Sequence, residues 1–210
     1  MYLKKMTQSL EYLVAAYKRS STAIISDNLD RLPGAIGIRP FHSVKEAMAG
    51  PALTVRVAAG DNLAIHQALD QVKPGDVVVV AGDGDVSRAL VGEIMMTIAR
   101  VRGVAGFVID GAVRDVDAFA ANDFPCFARA AIHRGPFKNG PGEINVKISV
   151  GGMIVEPGDI VVGDNDGVVA FPQAIAADLL RAVHAQEARE AEILRSIHEG
   201  RYTGAYSQKG

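Results

Sequence analysis

Twice in this chain a Pro-Gly-Asp turn launches an unbroken run of β-branched residues, and no other feature limits the possible folds so sharply. Pro74-Gly75-Asp76 leads into Val77-Val78-Val79-Val80 and closes on Gly82-Asp83-Gly84-Asp85, while Pro157-Gly158-Asp159 leads into Ile160-Val161-Val162 and closes on Gly163-Asp164-Asn165-Asp166-Gly167. Proline presets the turn, glycine relieves it, and β-branched side chains then favour pleated backbone. Runs that are apolar at every position read as buried strands, which a sheet covered by helices accommodates. The repeat is too short to signal duplicated domains.

Further strands are expected at Leu53–Val57, Phe107–Ile109, Cys126–Ala128, Val146–Val150 and Val168–Phe171, most of them bounded by Gly or Pro. Helical patterns cover Leu10–Tyr17, Leu63–Gln71, Glu93–Arg102 and Val116–Ala121, and a charged, Ala-rich helix spans about residues 173–198. This mixture predicts an α/β layer architecture, in which ligands sit at the carboxyl ends of strands. A length of 210 residues suits one domain, 1–210.

Several function classes fall away. With 22 basic against 24 acidic residues the net charge is −2, so the basic footprint of a nucleic-acid binder is missing. No apolar run approaches the roughly 20 residues of a membrane span. The lone Cys126 cannot form an internal disulfide, and the N-terminal residues lack a signal-peptide pattern, so a reduced, cytoplasmic protein is expected. Neither a phosphate-binding Lys-Ser/Thr loop nor a dinucleotide glycine fingerprint occurs.

The chemistry concentrates between residues 92 and 115. Gly92-Glu93 opens a helix whose unpaired amides at Ile94 and Met95 form an anion seat, strengthened by the helix dipole. The strand Phe107–Ile109 follows, and Asp110, Arg114 and Asp115 emerge past its carboxyl end. On extended backbone neighbouring side chains point apart, which leaves Arg114 and Asp115 free for separate partners. Asp110 is a candidate support for the site, with loop capping as its plainer role. His66 reads as a packed or surface histidine, Cys126 as core, Arg134-Gly135-Pro136 as a surface turn, and Gly82-Asp83-Gly84-Asp85 equally well as a pocket lining or an ordinary acidic turn.

These residues resemble the RraA-like family, which includes metal-dependent 4-hydroxy-4-methyl-2-oxoglutarate and 4-carboxy-4-hydroxy-2-oxoadipate aldolases. The likeness covers most of the chain: Ser26-Asp27-Asn28-Leu29, Gly60-Asp61-Asn62-Leu63-Ala64 with His66, both Pro-Gly-Asp strands, Gly92-Glu93, and Val108-Ile109-Asp110-Gly111 through Arg114-Asp115. The family's aldolase signature is an acid, twenty intervening residues, then Arg-Asp. Glu93, Arg114 and Asp115 hold those places, with Glu where typical aldolases carry Asp.

The resemblance implies a single-domain layered α/β/β/α fold of the swivelling β/β/α type. It also implies Mg²⁺ or Mn²⁺ held directly by Asp115 and through water by Glu93. A small 2-oxo acid would seat its carboxylate at Gly92, Ile94 and Met95, with Arg114 stabilising a pyruvate enolate. Cleavage of a 4-hydroxy-2-oxo acid would release pyruvate, with oxaloacetate decarboxylation as a side activity. Homotrimers or dimers of trimers are implied, with Glu190 of a neighbouring copy supporting the site weakly. The alternatives are a non-enzymatic regulator of ribonuclease activity, or a lyase acting on another 2-oxo acid.

Overall fold

The computed structural model describes residues 8–31, 34–43 and 45–204. Two short helices, α1 (Leu10–Tyr17) and α2 (Thr22–Asp27), come first, followed by β1 (Arg39–Pro40), β2 (Met48–Val57), α3 (Leu63–Leu69), β3 (Val77–Ala81), β4 (Ala89–Val91), α4 (Glu93–Val101) and β5 (Gly106–Val113). Then come α5 (Val116–Ala121), β6 (Cys126–Ala131), β7 (Gly142–Ile144), the hairpin β8 (Ile148–Val150) and β9 (Met153–Val155), the pair β10 (Ile160–Asp164) and β11 (Gly167–Phe171), and finally α6 (Gln173–His198).

The main sheet runs β1-β6-β5-β3-β2-β10-β11, with β4 added beside β5 and β7 beside β2. Its heart is parallel: β2, β3, β5 and β6 run the same way, with Val79 opposite Thr54 on one side and Val108 on the other. The second Pro-Gly-Asp strand, β10, joins antiparallel to β2 and pairs with β11. The two ends of the path, β1 and β11, pack against each other, so the sheet curls nearly shut.

Alternation along β3 sorts its side chains. Val78 and Val80, with Val55 and Ile109, face α3, α4 and α5, where Phe119 packs in the same cluster, whereas Val77 and Val79 face inward onto the β8–β9 hairpin, Val161 and Val168. A third cluster covers the outside of β10 and β11, where Tyr17, Ile25, Leu179, Leu180 and Val183 of α1, α2 and α6 close over Val162, Val169 and Phe171. Helices, sheet, sheet and helices therefore succeed one another, in the α/β/β/α order expected.

Several expected bounds need correction: β2 begins earlier, at Met48, β6 runs on to Ala131, and α3 stops at Leu69. Strand β5 does not end at Ile109 but continues to Val113, so Asp110 lies inside the strand rather than beyond it. The reason is that the Asp110 carboxylate is satisfied by Arg129 Nε of the neighbouring strand β6 and by Gly151 N, in the β8–β9 turn, at 3.1 Å. Similarly, Val146–Val150 shortens to Ile148–Val150. Among the described residues no helix is long and apolar enough to cross a membrane.

Candidate active site

The site grows from the carboxyl end of β5. Asp115, just past the strand, adopts left-handed backbone (φ 57°, ψ 43°), a conformation that asparagine and aspartate tolerate better than other residues with a side chain. This turns its carboxylate back toward α4, where Oδ2 accepts from Glu93 N at 3.0 Å. The helix has no cap of its own, since its N-cap is Gly92, and Asp115 caps it from the end of the neighbouring strand.

Glycine at 92 is required for that approach. A Cβ built there would overlap Asp115 Oδ2 and the Arg114 side chain. The left-handed turn also overrides the expectation that Arg114 and Asp115 point apart, for Arg114 Nε comes within 3.6 Å of Asp115 Oδ2 with both side chains about 40% exposed (42% and 41%). A half-exposed pair at this distance adds little stability. Its interest is geometric, because it sets a guanidinium beside a carboxylate that still has an uncommitted oxygen.

The α4 ladder begins with Met96 N donating to Gly92 O at 3.0 Å, so the amides of Glu93, Ile94 and Met95 lie outside it. Asp115 takes the first. Ile94 and Met95 line a cavity of about 190 Å³ together with Asn62, His66, Gly92, Arg114, Pro136, Lys138 and the residues of β4. Arg114 also borders a shallower cleft of about 420 Å³ with Asp115, Val116 and His133. Arg114 therefore stands between the two, with Nη1 close to Gly135, where an added Cβ would lie 3.1 Å from it. A wider cleft of about 580 Å³ beside Lys18, Arg19, Lys45 and Asp164 contains none of these groups.

Asn62, His66, Pro136 and Lys138 are residues that pattern reading passed over or set aside. His66 left a readable signal, since it lies one helical turn beyond Asn62, the residue at the N-cap of α3. Lys138 sits on irregular backbone and left no periodic signal. Asn62 is buried, and both its amide hydrogens are spent, on Leu90 O at 2.9 Å and Met95 Sδ at 3.3 Å. Its Oδ1 is the one buried side-chain N or O atom without a partner among the described residues, a lining-residue acceptor that calls for a donor.

Burial lowers the His66 pKa, the Lys138 charge pushes the same way, and Asp70 opposes them. At Asp61, next to Asn62, burial alone would raise the carboxyl. The amides of Leu63, Asn139 and Gly140, with the Lys138 charge, outweigh it and hold the group below the usual carboxylate range.

Other predicted residues lie apart. Asp110 is buried on the inner face of the sheet with Arg129 and Gly151, away from Arg114. The Gly82–Asp85 turn packs there too, with Gly84 N donating to Asp110 O at 3.1 Å, and does not line the cavity. Glu190 sits on α6, where it accepts from Gln186 Nε2 at 2.8 Å. Cys126 is fully buried and its thiol pKa is pushed far up.

The donor set can be tested against a metal ion. Among the described residues no three His, Cys, Asp or Glu side chains converge as a closed site would require. One strand-end carboxylate with a free oxygen, and a second acid in the first turn of α4, suit a hard divalent cation that keeps several waters and takes its remaining oxygens from substrate.

A family model described as RraA-like, Aldolase/RraA, matches residues 22–170. A protein of Halalkalibacterium halodurans, provisionally named a 4-hydroxy-4-methyl-2-oxoglutarate aldolase, is 38% identical over 195 residues, which are 92% of this chain and 92% of that protein. Among solved structures, an uncharacterized protein from Pseudomonas syringae pv. tomato superposes with a TM-score of 0.81 at 28% identity, covering 92% of this chain and 96% of that one. The RNA-processing inhibitor RraA from Thermus thermophilis superposes with a TM-score of 0.66 at 30% identity, covering 73% and 93%.

Proposed function

From the premise that this chain belongs to the RraA-like, Aldolase/RraA family, we propose that it is a divalent-metal-dependent aldolase that cleaves a 4-hydroxy-2-oxo acid to pyruvate. The observation that carries this reading is that Arg114 borders both the cavity lined by Ile94 and Met95 and the adjoining cleft lined by Asp115, whose carboxylate caps the same helix at Glu93 N.

Bound at Asp115, with Glu93 holding its waters, Mg²⁺ or Mn²⁺ would supply a Lewis acid next to the substrate's 2-oxo group. The chain's own groups account for the remainder. The amides of Ile94 and Met95 receive the substrate carboxylate at the positive end of α4. When a water in the cavity takes the proton of the 4-hydroxyl, the C3–C4 bond breaks, its electron pair forms the C2–C3 double bond of an enolate with the charge on the 2-oxo oxygen, and a second carbonyl compound departs. Arg114 faces the oxygen on which that charge collects, and a guanidinium already in place spends nothing on reorganisation. A proton returned to C3 completes pyruvate. Loss of carbon dioxide from oxaloacetate passes through the same enolate, so decarboxylation accompanies aldol cleavage.

Among the other lining residues, Lys138 would offer a charge to a second carboxylate, and Asn62 Oδ1 an acceptor to a hydroxyl. Both features suit 4-hydroxy-4-methyl-2-oxoglutarate or 4-carboxy-4-hydroxy-2-oxoadipate. We place the chain in the cytoplasm as a homotrimer or a dimer of trimers, with Glu190 of an adjacent copy supporting the site.

Pyruvate release, followed with coupled lactate dehydrogenase, tests the proposal. Turnover of 4-hydroxy-4-methyl-2-oxoglutarate that needs Mg²⁺, stops with chelator and falls at least about a hundredfold in Asp115→Ala is expected. Turnover untouched by chelator contradicts it. A second reading, an inhibitor of RNA processing, is favoured by the likeness to the Thermus protein. It predicts ribonuclease inhibition that survives Asp115→Ala. A metal-dependent lyase acting on another 2-oxo acid would instead bind the metal and leave both aldol substrates intact.

A further inference from the structure

Asp61 is 3% exposed and does not line the cavity, yet it joins the cavity's two walls. Its Oδ1 accepts from Leu63 N at 2.9 Å, at the start of the helix that carries His66, while Oδ2 accepts from Asn139 N at 2.5 Å and Gly140 N at 3.1 Å, immediately after Lys138. The segment before Lys138 is fixed independently, because Phe137 N donates to Gly60 O at 2.8 Å and Asn62 N donates to Phe137 O at 3.0 Å. Lys138 is thus gripped on both sides: by backbone pairing before it and by one buried carboxylate after it.

We propose that Asp61 is a positioning residue that clamps Lys138 into the cavity lining it shares with His66, and so sets recognition of the substrate's distal carboxylate. The inference rests on reading the cavity as an oxo-acid seat. An ionised acceptor is suited to the task, since bonds from amides to a carboxylate are stronger than those to a neutral oxygen. Removing it leaves two loop amides without their acceptor, and the segment relaxes toward water to satisfy them. Asparagine offers only one acceptor oxygen, so Asp61→Asn keeps the side-chain volume and weakens the clamp.

The test combines kinetics with hydrogen exchange on the Mg²⁺-loaded protein. Lys138→Ala should raise KM for 4-hydroxy-4-methyl-2-oxoglutarate about tenfold with kcat falling less than about threefold, and Asp61→Asn and Asp61→Ala should raise KM by a similar factor. The double variant Asp61→Ala/Lys138→Ala should be no worse than the poorer single variant, because the two residues act as one unit. Exchange at the Asn139 and Gly140 amides should quicken at least about tenfold in Asp61→Asn, with α4 amides unchanged. KM losses that multiply in the double variant would overturn the proposal, as would wild-type exchange at residues 139 and 140. If Asp61→Ala fails to fold, Asp61→Asn carries the comparison with Lys138→Ala. Should the wild type turn over no oxo acid, the aldolase reading fails, and the exchange measurement still decides whether the clamp exists.

Discussion

A single methyl group added at position 92 would overlap the Asp115 carboxylate and the Arg114 side chain together, and so would force apart the two groups on which the site depends. Gly92→Ala is therefore expected to cost about 1–3 kcal/mol of stability, as overpacking does. It should also lower kcat/KM at least about tenfold, because Asp115 must leave Glu93 N. Urea unfolding and steady-state kinetics on one preparation check both effects. His66 provides a second probe. Its folded pKa lies below the unfolded value of 6.5, so the stability it contributes is complete above 6.5 and is lost as pH falls through the folded value. The ring should titrate below 6.5 by NMR, and Lys138→Ala should move it upward, since one of the two effects lowering it is removed. An unmoved ring would show that the Lys138 charge does not reach it. At this scale the sequence already exposed Gly92, Glu93, Arg114 and Asp115 through their spacing. Lys138 and the unpartnered Asn62 oxygen stayed hidden, because a loop residue has no period and an unmet hydrogen bond exists only in three dimensions.

Elements were legible where local chemistry and packing agree. Helix α6 begins and ends where its Ala, Glu and Arg content suggests, and β3 is the valine run itself. Where a charge is satisfied from afar, reading stopped early. Strand β5 seemed finished at Ile109 because Asp110 should not be buried, yet Arg129 and Gly151 make that burial tolerable. Helix α2 escaped notice altogether, for its start is fixed by Ser21 and by Asp164, which accepts from Thr22 N at 2.9 Å across 142 positions of chain. Packing then decides what substitution costs within an element. Val79 is fully buried in the central strand, and Val101 on α4 is 83% exposed. Val79→Ala should cost about 2 kcal/mol by loss of burial and a residual cavity, and Val101→Ala under about 0.5 kcal/mol. Chemical denaturation of both variants separates the two, and equal losses would mean that another copy covers α4 in solution.

On the scale of the whole molecule, the Pro-Gly-Asp repeat foretold the two buried strands but not that they would lie on different parts of one curled sheet. That separation puts α3, α4 and α5 with the cavity on one side, and α1, α2 and α6 on the other. Helix α6 is about 39 Å long and buries side chains only as far as Val183, leaving Leu194 and Ile197 exposed on its second half. The proposed assembly predicts that light scattering finds three or six chain masses, and a monomer at micromolar concentration would contradict it. In the proposed reaction Arg114 and the Asp115 site stabilise a pyruvate enolate. Proton NMR of pyruvate in D₂O tests it without knowledge of the natural substrate. The methyl protons should exchange for deuterium when protein and Mg²⁺ are both present, and exchange should cease with chelator and in Asp115→Ala. Pyruvate that binds the Mg²⁺-loaded protein but keeps its methyl protons would contradict the account.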